Sequence, residues 1–267
     1  MIAQWIDQPL ARNLIVVAVT LVFIGAVLLV RRLAPPDSLK ESNDFVGFAY
    51  AFVGVVYGVY LAFAAVVVWE HFDKAGTIVS REAEEVNELW RDASGLPDGA
   101  ALQSLWLQYG ETVVKRDWPL MANSDAAEMP STAVWNELWR RYTQIRIESG
   151  NVTQAAFLAE SLRVLNELAG TRRERLVAEE SAIPPMMWTF VLGGGMGMMV
   201  MTLLIGVRSR PLQIAVTAFI AALLTYAILI VAALADPFGG DMSVNPDMFN
   251  RIITTMRTTA APPPNRH

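Results

Sequence analysis

Apolar positions in this chain collect into four unbroken runs, separated by polar stretches of very unequal length. The first covers Asn13 to Val30 and is closed by Arg31 and Arg32. The second covers Phe45 to Trp69, the third Met186 to Val207 and the fourth Leu212 to Ala235. No Asp, Glu, Lys, Arg or His interrupts any of them. A helix needs about 20 mostly apolar residues to cross the ~30 Å hydrocarbon core of a bilayer, so each run is expected to span a membrane. The first is read as a retained span rather than a signal peptide, because its basic pair follows the run and no small-residue cleavage site comes after it. Only Arg208-Ser209-Arg210-Pro211 separates runs three and four, which predicts a tight hairpin.

Between runs two and three lies a polar stretch, His71 to Pro185, whose apolar residues recur at helical spacing over 82–93, 101–114, 131–145 and 153–169. Gly95-Leu96-Pro97 is expected to end the first of these helices. Pro119 to Pro130 reads as a loop, and Ser131 and Thr153 are candidate N-caps. Pro184 and Pro185 are placed to open span three, since proline is tolerated in a first helical turn. No segment alternates like a strand. The expected fold is an all-α integral membrane protein, with four transmembrane helices and a helical-bundle domain inserted between spans two and three. It divides into an N-terminal membrane half (1–70), a polar helical domain (71–185), a transmembrane hairpin (186–235) and a tail (236–267). The tail ends in Ala-Pro-Pro-Pro, expected to be disordered.

Composition narrows the function classes. Of 267 residues, 54% are hydrophobic and 18% charged, with mean hydropathy +0.35. That charged fraction is below the roughly 25% of soluble chains. A net charge of −5 and a pI near 5.2 argue against a nucleic-acid partner, whose footprint is basic. The absence of cysteine removes disulfides, cysteine–zinc sites and thiol nucleophiles. With only His71 and His267, a histidine-rich metal site is also excluded within one subunit. No cofactor motif and no catalytic constellation is present, so an enzyme is not expected.

Span two holds the most specific pattern. Gly47, Ala51, Gly54, Gly58, Ala62 and Ala65 recur at spacings of three and four, with Gly54-x-x-x-Gly58 at the centre. Small residues let membrane helices approach closely. The register continues through Trp69, Phe72, Gly76, Val79, Ala83, Val86 and Trp90, which predicts one helix of about 50 residues, about 75 Å long. Such a seam needs a partner. Either this chain's own helices supply it, or copies of the chain pack around an axis and the seam lines or flanks a pore.

Gly58-Val59-Tyr60, followed by Trp69-Glu70-His71-Phe72-Asp73, resembles the second-span segment of bestrophin anion channels. The layout is closer to that of bacterial bestrophin-like proteins, a domain family of unknown function. Shared features are four spans, a Val79-Ser80-Arg81-Glu82-Ala83 segment in the helical insert and the Asp236-Pro237-Phe238-Gly239 turn after span four. The resemblance implies a homo-oligomer in which span two lines an axial pore and the helical domain extends it. Ala51, Val55 and Val59 would then align with the family's hydrophobic constriction, here built of small residues instead of aromatic ones. The calcium-sensing acidic cluster of animal bestrophins has no counterpart. The resemblance also implies a cytoplasmic helical domain and termini. Charge counting points the other way: Arg31, Arg32, Lys40, Arg208 and Arg210 crowd the two short connections, which the positive-inside rule makes cytoplasmic. Sidedness is left open.

Other residues carry weaker signals. Glu70 and Asp73 would repeat as an acidic collar at a pore mouth in a ring of subunits, or form a solvated helix face. His71 is an interfacial polar residue or a pH gate. Gly193-Gly194-Gly195 lacks the lysine of a phosphate loop and is expected to be a close-packing or bending point. The methionines of span three read as adaptable packing. Asp236 is expected to find a basic partner or to cap the turn after it. Trp5, Trp69 and Trp188 suit an interfacial belt. Glu82, Glu84, Glu85, Glu88, Glu179 and Glu180 read as solvated faces. The leading expectation is a bestrophin-like oligomeric ion channel of a bacterial inner membrane, with the bilayer, further copies and inorganic ions as partners. The competing one is a non-conducting scaffold or sensor whose helical domain binds a partner or ligand.

Overall fold

A computed structural model of the chain describes residues 9–34, 36–123, 129–178, 183–240 and 242–260. Trp5, Glu179, Glu180, His267, the Ala-Pro-Pro-Pro tail and the middle of the Pro119–Pro130 stretch lie outside them. No strand occurs among the described residues. The principal helices are α1 (Pro9–Leu33), α2 (Asn43–Ala93), α3 (Gly99–Thr112), α4 (Ser131–Gln144), α5 (Val152–Val177), α6 (Pro185–Leu203), α7 (Arg210–Leu234) and α8 (Asp247–Ala260). Helix α2 is unbroken over 51 residues, as its apolar register predicts. Four helices, α1, α2, α6 and α7, are long and apolar enough to cross a membrane. The chain forms two compact units, one of residues 1–72, 181–236 and 240–242, the other of 73–180, 237–239 and 243–267.

In the first unit, Ala64 and Val68 of α2 pack on Val191 of α6 and on Val231, Leu234 and Ala235 at the end of α7. Phe23 of α1, Met199 of α6 and Ala221 of α7 form a second cluster. The glycine run of α6 is a close-packing point. A Cβ on Gly194 would lie 2.5 Å from Tyr57 Cδ2, and one on Gly195 would lie 2.9 Å from the Tyr57 hydroxyl oxygen. That hydroxyl donates to the Val191 carbonyl at 2.9 Å. The missing side chains therefore let the phenol lie directly on the α6 backbone and reach a carbonyl.

Span three stops at Leu203, four residues before its apolar run ends. The reason is polar. The connection from Leu204 to Ser209 opens its backbone to side chains of three helices. The Arg31 guanidinium donates to the Val207 carbonyl at 2.8 Å, the Arg208 carbonyl at 3.2 Å and Gln213 Oε1 at 2.5 Å. Asn43 clasps Gly206 from both sides, donating to its carbonyl at 2.9 Å and accepting from its N–H at 2.8 Å. Gln213 donates to the Ile205 carbonyl at 3.1 Å. The hairpin between α6 and α7 is thus a clasped loop rather than a bare turn.

In the second unit, Val79, Ala83, Val86, Leu89 and Trp90 of α2 are buried with Leu102, Trp106 and Tyr109 of α3 and Leu138 of α4. Val164, Leu165 and Leu168 of α5 complete this core. Helix α3 passes into a π-helical turn, Val113–Asp117, and then a short helix, Trp118–Met121, which takes up the start of the expected loop. Ser131 is the first residue of α4, and its N–H is satisfied by Asp117 instead of by its own capping geometry. Asn151, not Thr153, caps α5, accepting from the Gln154 N–H at 3.1 Å. The sequence pattern assigned no element to Asp247–Ala260. It forms α8 by burying Phe249, Ile252, Ile253 and Met256 along one face. Gly110 makes room for it, since a Cβ there would meet Ile253 Cγ1 at 3.3 Å.

Replacing Gly194 with Ala should cost about 1–3 kcal/mol through overpacking against the Tyr57 ring. A thermal-unfolding series in detergent checks this. The Tyr57→Leu background should recover most of the loss, and equal losses in both backgrounds would show that the contact does not govern α2–α6 packing.

Candidate pore helix and buried charge network

Within its membrane half, α2 has one face committed to its own unit. Tyr57, Ala64 and Val68 are buried there, with Tyr60 and Leu61 packed beside them. The opposite face is uncovered. Val55 is 67% exposed and Val59 54%, and Phe48, Phe52, Phe63 and Val66 are exposed on the same side. The small-residue stripe runs along the border of the two faces. Gly54 is half-buried, and a Cβ there would meet Met198 Cε at 3.2 Å. Gly47 and Ala65 are also half-buried, whereas Ala51, Gly58 and Ala62 are exposed. A Cβ on Gly47 or Gly58 would meet nothing within 4 Å. Packing inside the chain therefore accounts for Gly54 and Ala65 but leaves most of the stripe without a neighbour. Farther along the helix the opposite holds: Val79, Ala83, Val86 and Trp90 are consumed by the chain's own bundle. Between these stretches Glu70 and Asp73 are exposed and His71 is half-buried.

The helical unit holds a second arrangement that the sequence reading missed. Glu82 is not on a solvated face: it is fully buried, as are Arg175 and Asp117. Arg175 donates through Nε to Glu82 Oε2 at 2.5 Å and through Nη2 to Oε1 at 3.2 Å. Its Nη2 also lies 3.6 Å from Asp117 Oδ2. The other Asp117 oxygen accepts from the Ser131 N–H at 3.0 Å. The Tyr109 hydroxyl donates to Glu82 Oε1 at 2.7 Å. Burial, followed by the negative charge of Glu82, pushes that phenol well above its ordinary range, so it remains a donor. Nearby, the Tyr142 hydroxyl accepts from Trp106 Nε1 at 3.1 Å and is pushed up to about 12 by burial.

A signal for this network was present. Glu82 lies three residues after Val79 and four before Val86, and Arg175 lies seven after Leu168; both therefore share a face with core residues. Surrounding charges in Glu82–Glu88 and Arg172–Arg175 masked that register. Asp117 had no such signal, because the π-helical turn adds a residue and shifts the face it presents. No group of three or more His, Asp or Glu arranged to hold a metal occurs among the described residues.

Four membrane-length helices, one of them prolonged through a helical bundle and showing an uncovered apolar face, define a multi-pass, all-helical membrane protein. The Bestrophin-like domain model matches residues 17–249, and the chain belongs to that bestrophin-like family. Crystal structures of a bacterial Bestrophin homolog from Klebsiella pneumoniae have the same fold. Two mutant forms superpose with TM-scores of 0.66 and 0.65 at 14% and 16% identity, covering 92% and 91% of this chain. A structure phased with zinc superposes at 0.62 with 15% identity and 92% coverage. Each comparison covers 99% of the Klebsiella chain. A search of curated proteins finds no match.

Removing one partner of the buried pair should be far worse than removing both. Arg175→Met leaves Glu82 buried without its cation and should cost about 3–5 kcal/mol. Adding Glu82→Gln should restore a substantial part of that loss. Additive losses in a double-mutant cycle of thermal unfolding would show that the two side chains do not act as a pair.

A milder dependence on pH is expected where α8 meets α3. Glu111 accepts from Lys115 at 2.9 Å and from Arg257 of α8, and these hydrogen bonds hold its carboxyl below the usual glutamate range. A lowered folded-state value gives stability that is present above the unfolded value, about 4.3, and is lost as pH falls through the folded one. Arg257→Gln should remove part of that acid sensitivity, read as protease cleavage before α8 between about pH 5 and pH 3. An unchanged profile would place the acid response elsewhere.

Proposed function

We propose that this chain is the subunit of a homo-oligomeric ion channel in a bacterial inner membrane, with conduction passive and along the membrane half of α2. The observation that supports this most is the uncovered face of α2, where exposed small residues run beside exposed Val55 and Val59 in a bestrophin-like fold. Lipid tails give membrane helices no hydrophobic reason to associate, so close approach through small residues is what brings copies together. In such an assembly Ala51, Val55 and Val59 form a short apolar constriction that gates by dewetting. Gly47, Gly58 and Ala62, which the chain itself leaves without a neighbour, set how closely the α2 helices approach. Glu70 and Asp73 repeat around the axis just past the constriction, with His71 between them, and set the charge met by an ion leaving it. No step requires a cofactor or bond-making chemistry, in keeping with a channel rather than an enzyme.

Ion flux tests the proposal. Purified protein reconstituted into liposomes should dissipate a KCl gradient, and bilayer recordings should give a reversal potential displaced from zero. Val55→Asp or Val59→Asp should change conductance by about tenfold or shift that potential, since a charge replaces part of the apolar barrier. Substituting Glu70 and Asp73 with Gln and Asn should move the reversal potential away from cation preference. An assembled oligomer that carries no current, with or without these changes, would overturn the channel reading and favour a scaffold or sensor.

A further inference from the structure

Within the helical unit, the connection from α2 to α3 and the end of α4 border a cavity of about 460 Å³. Arg140, Arg141 and Arg146 line it, and Asp98 is the one acid in its wall among the described residues. Pro97, Leu102 and Ile145 supply its apolar part. Over residues 73–180 acids outnumber bases, 18 to 12, so three arginines on one cavity reverse the sign of their surroundings. The start of α3 and the end of α4 meet here, and their helix-end fields oppose one another. The side chains therefore decide the charge of the cavity.

How the arginines are held determines what they can bind. Glu137, one turn earlier on α4, accepts from Arg140 Nε at 2.9 Å and Nη2 at 2.6 Å, and from Arg141 Nε at 2.8 Å. Arg140 Nη1 donates to Gln144 Oε1 at 3.0 Å. Arg140 is thereby committed to its own helix. Arg141 is not: among the described residues only its Nε is engaged, and both terminal nitrogens stay open. Arg146 follows Ile145, whose φ of −59° and ψ of 132° turn the chain out of α4, and it has no hydrogen bond or ion pair among the described residues. Three guanidinium groups, offset by Glu137 and Asp98, leave about one positive charge, which suits a monoanion. Two open terminal nitrogens on one guanidinium match the paired oxygens of a carboxylate. A bare oxyanion would leave most of the space empty, whereas small organic ligands occupy sites of about 300–1,000 Å³.

We infer that this cavity binds a small organic monocarboxylate. Arg141 takes the carboxylate end-on, Arg146 adds a second positive charge beside it, and the apolar body of the ligand rests against Pro97 and Ile145. The site lies in the helical unit alone and stands independently of conduction.

Isothermal titration calorimetry of the full chain in detergent tests it, with benzoate and hexanoate as probes of a rigid and a flexible body. At least one of them should bind saturably, about tenfold more tightly than its neutral amide and than acetate, which has the head without the body. Arg141→Gln and Arg146→Gln should each weaken that probe about threefold to tenfold, the range left once the exposure of these groups is allowed for. Both side chains are exposed, so the variants should unfold at the wild-type Tm. Arg163→Gln, an exposed arginine of α5 outside the cavity, should leave binding unchanged. Asp98→Asn, which keeps a residue tolerant of the φ of 56° found there, should tighten binding about threefold. Absence of saturable binding by both probes, or equal binding of acid and amide, would overturn the assignment. So would wild-type affinity in Arg141→Gln and Arg146→Gln, an equal loss in Arg163→Gln, or acetate binding as tightly as the larger acids.

Discussion

A polar group taken out of water has to find its partner inside the chain, and both units are arranged by how that demand is met. In the membrane unit most of it is met within the helices, whose backbones satisfy themselves. The exceptions lie at the α6–α7 connection, where helical pairing ends, and there Arg31, Asn43 and Gln213 supply the missing partners. In the helical unit the same demand falls on side chains. Arg175 is surrounded by core residues and is acceptable there because Glu82 takes it through two nitrogens and Tyr109 occupies a further lone pair of that carboxylate. A network of this kind is weak evidence for net stability. Its consequence is positional: α2, α3, α5 and the π-helical turn are tied together where Glu82, Tyr109, Arg175 and Asp117 meet.

Helix α2 shows the same residue pattern used for two different ends. Its small and apolar register is continuous from Gly47 to Trp90. Beyond Gly76 the register is spent on the chain's own core, and before it the register is largely unspent. An apolar face left open in a helix of membrane length costs nothing in lipid, so such a face can be kept for a second chain without making the single chain unstable. The proposed channel rests on that difference between the halves of one helix.

Much of the architecture was legible because its physical cause is local. Charge-free runs of membrane length, 3.6-residue periodicity and glycine–proline breaks depend on neighbours in sequence, and they yielded the spans, the polar helices and the length of α2. The glycine run of α6 was likewise readable as close packing, although not its partner, Tyr57. Errors fall where distant residues decide. Asn151 caps α5 where Thr153 was expected, span three ends early because Arg31 and Asn43 claim its connection, and Glu82 is internal although it sits in an acidic run.

By itself, then, the sequence determined an all-helical membrane protein with a helical insert and a small-residue second span, since these follow from hydropathy and period, and its short motifs added a resemblance to bestrophin-like proteins. Tertiary structure alone decided that Arg175, Glu82 and Asp117 meet in the core, that Asp247–Ala260 folds as a helix against α3, and which part of the α2 stripe stays open. Each of those depends on residues far apart in the chain becoming neighbours. A sequence states the charge and size of a side chain, but burial is a property of what else arrives beside it.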